Sequence, residues 1–188
     1  FKEERGKEWV LYGTDSEWKN RYPDYLVSLY NKSSKHNSII NGKCKYIAGR
    51  GWVVADSQSM KDRALAEAFI KNIGEESLKE LTKKVVLDGE LYGGFSMEVI
   101  MNKRGNKIAS LSHIDFGKLR VDKNDDTKFY YTSDWSKRKP QEKEDFREFR
   151  LFDPNDPKSD TIIYYKNYRP DLQEYPLPPY IGGIPYIE

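Results

Sequence analysis

The sequence predicts an α+β fold in which N-terminal helices precede a mostly antiparallel β-sheet. Two observations support this class: apolar residues recur at helical spacing between about residues 23 and 92, and at strand spacing between about 94 and 167. Aromatic residues make up 14% of the 188 residues, which argues against disorder. Because 33% of the residues are charged and the mean hydropathy is -0.86, we expect a modest core with much solvated or partner-covered surface.

The predicted helical region follows a short strand at 8–12. Pro23 suits the first turn of a helix, and the helical spacing continues beyond it, with the Ser33-Ser34 pair and Gly42 as the places where it divides into two helices. The segment Gly49-Arg50-Gly51 is the predicted C-cap of this region, because glycine adopts the left-handed backbone conformation readily.

Two further helices complete the predicted helical region. One covers 60–73, with Ser59 as its N-cap and Gly74 at its end. Its apolar stripe consists of Leu65, Ala68 and Phe69. The other runs from about 75 to 87 or beyond. Its inward residues are Leu78, Leu81 and Val85.

The predicted sheet begins with a hairpin. Apolar and polar residues alternate after residue 94, which describes a half-buried strand. Its apolar positions are Phe95, Met97, Val99 and Met101. A turn at 103–106 follows, where Gly105 supplies a positive φ, and the chain returns over 107–112. Further strands are predicted at 117–122, 127–132, 146–152 and 160–166. The charged stretch 137–144 is the best candidate for disorder.

The last part of the chain is rich in proline and tyrosine. We expect residues 1–167 to form the α+β domain and 168–188 to be an extended, ordered segment rather than a regular element. Tyr175, Tyr180 and Tyr186 are expected to lie against this domain or a neighbouring molecule. The chain begins at Phe1 without an initiator methionine or a signal peptide, so we expect it to be a piece of a longer, intracellular protein.

The cysteine and histidine content of the sequence predicts no metal or cofactor site. A single cysteine, Cys44, excludes an internal disulfide, and its apolar surroundings predict a buried structural thiol. His36 and His113 are the only histidines, and neither belongs to a metal-binding spacing. We therefore expect no metal and no cofactor, and ordinary surface or half-buried positions for both histidines. No apolar run approaches the roughly 18 residues that a membrane span needs.

No catalytic pattern stands out, and we predict that the chain is not an enzyme. Asp88 and Glu90 are close in sequence but do not face each other on a helix. The pair Gly93-Gly94 follows a helix and opens a strand, the reverse of a phosphate-binding loop, and is interpreted as a tight turn or close packing. The acidic stretch 153–160 is interpreted as a turn between strands, because it lacks the glycine and glutamate of a calcium loop.

Basic residues form three local groups, but the formal net charge is only +2. The groups are Lys43/Lys45/Arg50, Lys103/Arg104/Lys107 and Lys137/Arg138/Lys139. A protein that binds nucleic acid by bulk charge shows a clear basic excess. We interpret the three groups as solvated faces or loops.

Three stretches carry motifs in a recognisable order. The first begins at Tyr22-Pro23-Asp24-Tyr25-Leu26 and ends in the Gly-x-Gly-Trp turn at 49–52. The second is the passage from Asp88 through Gly93 to Glu98-Val99. A hairpin at 102–107, the strand 108–115 and Leu119-Arg120-Val121 follow it. The third joins 162–168 to the Tyr-Pro-Leu-Pro-Pro-Tyr element at 175–180. In order and spacing these stretches resemble the N-terminal region of tailed-bacteriophage portal proteins, over most of residues 22–188.

The resemblance implies a structural role. Portal proteins form a ring, usually a dodecamer, at one capsid vertex; viral DNA passes through its channel, the terminase motor docks on it, and head-completion proteins bind later. By resemblance this chain is part of the peripheral wing domain, located in the virion, assembled in the host cytoplasm, and in contact with the major capsid protein. It ends before the expected stem and clip, and no family position assigns a DNA-contacting residue here.

Two other functions remain open at this stage. A non-enzymatic adaptor module that holds a peptide or protein on its sheet is the alternative to the portal function. An enzyme, such as a nuclease or transferase, ranks third, and an activity abolished by Asp88→Ala or Glu98→Ala would reverse that ranking.

Overall fold

The α+β class is confirmed by a computed structural model that describes residues 3–56, 59–136, 140–156, 160–171 and 174–187. The helices are α1 (Tyr22–Lys32), α2 (Ser34–Ala48), α3 (Met60–Lys71) and α4 (Leu78–Tyr92). The strands are β1 (Glu4–Arg5), β2 (Val10–Leu11), β3 (Gly94–Met101), β4 (Ile108–Ile114), β5 (Leu119–Val121), β6 (Lys128–Tyr131), β7 (Arg147–Leu151) and β8 (Thr161–Lys166). Short 3-10 helices occupy Phe116–Lys118, Pro140–Glu142 and Ile181–Tyr186.

The first helical region divides at the serine pair. Ser33 has an extended backbone, and its side chain accepts a hydrogen bond from the His36 amide, so it caps α2. Gly42 lies inside α2 instead of breaking it. Pro23 stands in the first turn of α1, and Gly49, with φ at 55°, ends α2 as predicted.

The caps of α3 and α4 also follow local rules. The Ser59 side chain accepts from the Asp62 amide, and Ser77 forms a reciprocal capping box with Glu80. Gly93, in the left-handed conformation, ends α4. The apolar stripe predicted for α3 is not buried, because Leu65 is 60% exposed and Phe69 41% exposed. Helix α3 therefore packs beside α4 without contributing a buried residue to the core.

Within the described ranges the larger sheet has six strands in the order β4-β3-β8-β7-β6-β5. Its neighbours are antiparallel except β7 and β8, so the sheet is mostly antiparallel as predicted. The β5 edge is covered by the N-terminal strand region, through a bridge between Trp9 and Asp122 and a hydrogen bond from the Lys123 amide to the Glu8 carbonyl. Covering this edge satisfies backbone groups that an open sheet would expose.

The prediction of which side chains of β3 are buried is wrong in part. Ser96 pairs with Tyr164, is fully buried, and donates its hydroxyl to the Ile114 carbonyl at 2.7 Å. Phe95 stacks on Tyr165, which is 51% exposed. The serine therefore lies on the core side, because its hydrogen bond removes the penalty for burying a hydroxyl.

The main core lies between the helices, the sheet and both ends of the chain. Its buried members are Val10, Tyr12, Tyr22, Leu26, Ile40, Leu91, Tyr92, Ile114, Phe116, Leu119, Val121, Phe129, Phe149, Ile162 and Tyr175. In the stretch predicted to be disordered, 137–139 lies outside the described residues, whereas Pro140 is buried in its short 3-10 helix. No helix in the described part of the chain is long and apolar enough to cross a membrane.

Candidate functional site

Residues 174–187, here called the exit segment, are packed against the domain. Tyr175 is buried and Tyr180 is partly buried, as predicted, whereas Tyr186 is 92% exposed. The segment is not extended throughout, since Ile181–Tyr186 forms a 3-10 helix. Ile181 and Ile184 pack on the core cluster, so this short helix is held against the domain.

Tyr175 is the main anchor of the exit segment. Its hydroxyl accepts a hydrogen bond from the Val121 amide at 3.0 Å and donates one to the Val10 carbonyl at 2.6 Å. Its ring stacks on Tyr12, with centroids 4.2 Å apart and planes inclined by 11°. Glu3 accepts from the Tyr175 amide at 2.6 Å. One side chain therefore joins the N-terminal strand, the β5 edge and the exit segment.

The exit segment also crosses the junction between α4 and β3. A Cβ atom on Gly93 would lie 2.2 Å from the Leu177 carbonyl oxygen. The Tyr180 hydroxyl donates to the Leu91 carbonyl at 2.9 Å. A Cβ on Gly94 would lie 2.6 Å from the Tyr165 carbonyl, so both glycines permit close packing of backbone. This confirms the interpretation of the Gly93-Gly94 pair.

Arg120 is a buried cation held by oxygen atoms. It is 1% exposed and donates to the side-chain and main-chain oxygens of Asn20, each at 2.6 Å. It also donates to the carbonyls of Gly117 at 2.9 Å and Leu119 at 2.6 Å. Its guanidinium lies 4.9 Å from the ring centroid of Trp135. Burial lowers the pKa of Arg120, and the ring of oxygens offsets the loss of hydration.

Asp88 on α4 and His113 on β4 form a polar contact between the two elements. Asp88 Oδ2 lies 2.9 Å from His113 Nε2 and accepts the Phe116 amide at 3.2 Å. Burial raises the pKa of Asp88 against the opposing effect of His113. Burial acts to lower the pKa of His113, but the Asp88 hydrogen bond and charge raise it overall.

The Asp88–His113 contact is tied to the backbone through the Phe116 amide. In the part of the chain that the structure describes, no serine, threonine or cysteine side chain is hydrogen-bonded to His113. A nucleophile activated by a base needs such a bond. Glu90 is directed elsewhere and forms an ion pair with Lys43, so Asp88 and Glu90 do not face each other, as predicted.

His36 is buried rather than exposed or half-buried. Its ring lies edge-on to Tyr180 at 4.3 Å, beside a cavity of about 120 Å³ that Glu90 and Pro179 also line. Burial lowers the pKa of His36. Nearby Cys44 packs partly buried against the core, and burial raises the pKa of its thiol, which agrees with a structural role.

The charged motifs are located in turns and on helix surfaces. Among the described residues no group of three or more His, Cys, Asp or Glu side chains could hold a metal ion. Asp153 accepts the Asn155 amide at 2.8 Å, the local bond of a turn, whereas 157–159 lies outside the described residues. The basic groups around Lys43 and at 103–107 are exposed on α2 and on the β3–β4 turn. The group Lys137/Arg138/Lys139 lies outside the described residues.

Exposed apolar side chains are concentrated on α2, on α3 and on the loop between them. Among the residues that the structure describes, eight of the 14 exposed large hydrophobic ones lie between residues 39 and 69. These eight are Ile39, Tyr46, Ile47, Trp52, Val53, Met60, Leu65 and Phe69, here called the α2–α3 outer face. Monomers rarely expose contiguous apolar patches beyond roughly 300–600 Å². The outer face is therefore the candidate interaction surface of the domain.

Comparison with known proteins places the fold. No protein-family model matches the chain, and no curated protein matches its sequence. A chain in the neck of an empty GTA particle, computed with C6 symmetry, aligns over 97% of this chain with a TM-score of 0.69 and 14% identity. A chain in the virion of a native gene transfer agent (GTA) particle aligns over 98%, with a TM-score of 0.67 and 13% identity. A chain in the neck of a native GTA particle, computed with C12 symmetry, aligns over 88%, with a TM-score of 0.58 and 15% identity.

The likeness defines a shared architecture. This chain spans 45%, 44% and 41% of the length of the three matched chains, respectively. It therefore has the fold of part of a chain that occurs in the neck and virion of gene transfer agent particles.

Proposed function

We propose that this chain is the N-terminal wing portion of a portal subunit in the virion of a tailed phage or a phage-like particle, and that its role is structural. The observation that carries the proposal is the fold match over 97% of the chain to a chain from the neck of such a particle. The order of motifs over residues 22–188 supports the same function independently of the fold.

The proposed role defines the partners. The subunit assembles into a closed homo-oligomeric ring, a dodecamer, at the capsid vertex, and contacts the major capsid protein, the terminase motor and head-completion proteins. Viral DNA passes through the channel during packaging and ejection. The docked exit segment suits this role, because a rigid exit fixes the orientation of the wing relative to the chain that continues from it.

The buried polar contacts of the domain support a non-enzymatic role. Arg120, Tyr175 and the Asp88–His113 pair each connect elements that are distant in sequence, and their polar atoms are occupied by backbone or neighbouring side chains. Such networks make a scaffold rigid. An activity abolished by Asp88→Ala, with the fold intact, would contradict this interpretation.

Negative-stain electron microscopy of the full-length protein, purified without its capsid, tests the proposal. Closed rings with a central hole are expected. A uniform monomer at high concentration would contradict the portal function. It would favour the alternative, a non-enzymatic adaptor module, to which the exposed α2–α3 outer face is equally suited.

A further inference from the structure

The composition of the α2–α3 outer face indicates a protein partner rather than nucleic acid. Residues 39–55 of the face carry three basic and no acidic side chains, and one of these, Lys43, pairs with Glu90 of α4. The same stretch exposes Ile39, Tyr46, Ile47 and Val53, at 54%, 90%, 55% and 88%. Phosphate contacts are made by basic and small polar groups, which leaves aliphatic side chains such as Ile39, Ile47 and Val53 uncovered. A protein surface covers them.

The exposed area is large enough for a stable interface. Taking about 200 Å² for a fully exposed large side chain, the exposed fractions of the eight residues correspond to roughly 1,000 Å². A standard protein–protein interface buries about 800 Å² on each partner. The eight side chains together therefore expose about as much area as one partner buries in a standard interface.

Helix α3 is incomplete without a partner. It contains 12 residues, none of them buried, and among the described elements its main neighbour is α4. Isolated helices shorter than about 12–15 residues are marginal in water, because packing of an apolar face supplies most of their stability. The loop before it is attached to α4 by the Trp52 indole, which donates to the Thr82 hydroxyl at 2.7 Å. The loop and α3 are thus held on α4 with their apolar side chains outward.

We propose that the α2–α3 outer face packs against a second copy of this chain, as one of the two different surfaces that each subunit uses in a ring. The proposal rests on the proposed function. Chains with this fold occur in particle necks computed with C6 and C12 symmetry, in which each copy has neighbouring copies. A cyclic ring joins each subunit head-to-tail, so one surface of a copy contacts a different surface of the next.

A matched pair of tyrosine variants of the full-length protein tests this interface. Tyr46 is 90% exposed on the outer face, and Tyr168, which follows β8 and is not one of its eight residues, is 87% exposed. Tyr46→Glu places a charge in the proposed interface and should reduce the fraction of protein in rings by about tenfold or more. Tyr168→Glu should leave that fraction unchanged. Both variants should keep the thermal midpoint of the wild-type subunit, because neither side chain is packed in the core.

Photocrosslinking identifies what covers the face. With p-benzoylphenylalanine in place of Tyr46, the expected product in assembled rings is a covalent dimer of two copies of this chain. The same group in place of Tyr168 should give no such dimer. A crosslink only within one chain, to the capsid protein or to DNA would overturn the inference, as would rings formed equally well by Tyr46→Glu. In those cases the rings themselves remain and the proposed function stands. A wild-type protein that forms no rings overturns both proposals.

Discussion

Replacing Tyr175 with phenylalanine removes one hydroxyl and keeps the aromatic ring. The ring can still stack on Tyr12, but the Val121 amide and the Val10 carbonyl lose the hydroxyl that joins them at 3.0 and 2.6 Å. Tyr175 is 2% exposed, so water does not replace the missing group. The perturbation is therefore confined to two buried hydrogen bonds that anchor the exit segment.

The expected magnitude follows from the two main-chain groups. A buried polar group left without its partner lowers the free energy of unfolding by about 1–3 kcal/mol. Leaving both the Val121 amide and the Val10 carbonyl unpaired is therefore expected to lower it by about 3 kcal/mol. With an m-value of about 2 kcal/mol/M in urea, the midpoint of unfolding should fall by about 1.5 M. Such a loss is a substantial part of the roughly 5–15 kcal/mol that stabilises a typical domain.

Urea denaturation followed by tryptophan fluorescence measures this loss. Tyr186→Phe is the matched control, because Tyr186 is 92% exposed on the same segment and its substitution should change the free energy of unfolding by less than about 0.5 kcal/mol. If Tyr175→Phe and Tyr186→Phe unfold at the same midpoint, the hydroxyl does not bridge buried groups and the anchoring argument is wrong.

Three further substitutions test other contacts. Gly93→Ala combines a φ of 88° with a Cβ 2.2 Å from a carbonyl oxygen, and should lower the free energy of unfolding by at least about 2 kcal/mol in the same denaturation assay. Gly182→Ala is the control, because open space surrounds it, and it should change that free energy by less than about 0.5 kcal/mol. Equal losses would show that the exit segment does not pack closely on Gly93. Because Asp88 raises the pKa of His113 above 6.5, this histidine stabilises the fold fully below pH 6.5, and the stabilisation is lost as the pH rises through the raised pKa. His113→Asn should remove this pH dependence. If the slope of unfolding free energy against pH is the same in the variant and the wild type, the ion pair with Asp88 does not stabilise the fold. Burial lowers the pKa of His36, so stability is lost as the pH falls below about 6.5. His36→Leu should abolish that acid loss, and an acid slope equal to that of the wild type would contradict the burial of His36.

Much of the local structure could be predicted from short-range chemistry. Ser33 and Ser59 cap the helices that follow them because a serine hydroxyl accepts an amide two or three residues later. Gly105 marks the hairpin turn because it takes a positive φ of 67°. The change from helical to strand spacing near residue 94 marks the start of the sheet. These signals act within a few residues and are therefore visible in the sequence.

The candidate interface was only partly predictable. The stripe of Leu65, Ala68 and Phe69 identifies α3 as amphipathic, but periodicity does not say whether an apolar stripe faces the chain's own core or an outside partner. The same limit explains the error in β3, where Ser96 is on the core side. A buried polar side chain depends on whether a partner such as the Ile114 carbonyl lies opposite, which alternation alone does not reveal.

The sequence by itself therefore determined the α+β class, the caps at Gly49 and Ser59, the hairpin and the order of motifs that resembles a portal subunit. The tertiary structure alone decided that Arg120 is buried among carbonyl oxygens and that His36 lies under Tyr180. It also decided that the Tyr175 hydroxyl reaches Val10, which lies 165 residues earlier in the chain. The physical reason is the range of the interactions: caps and turns form between neighbours in sequence, whereas a buried polar group is stable only where the whole fold brings its partners to it.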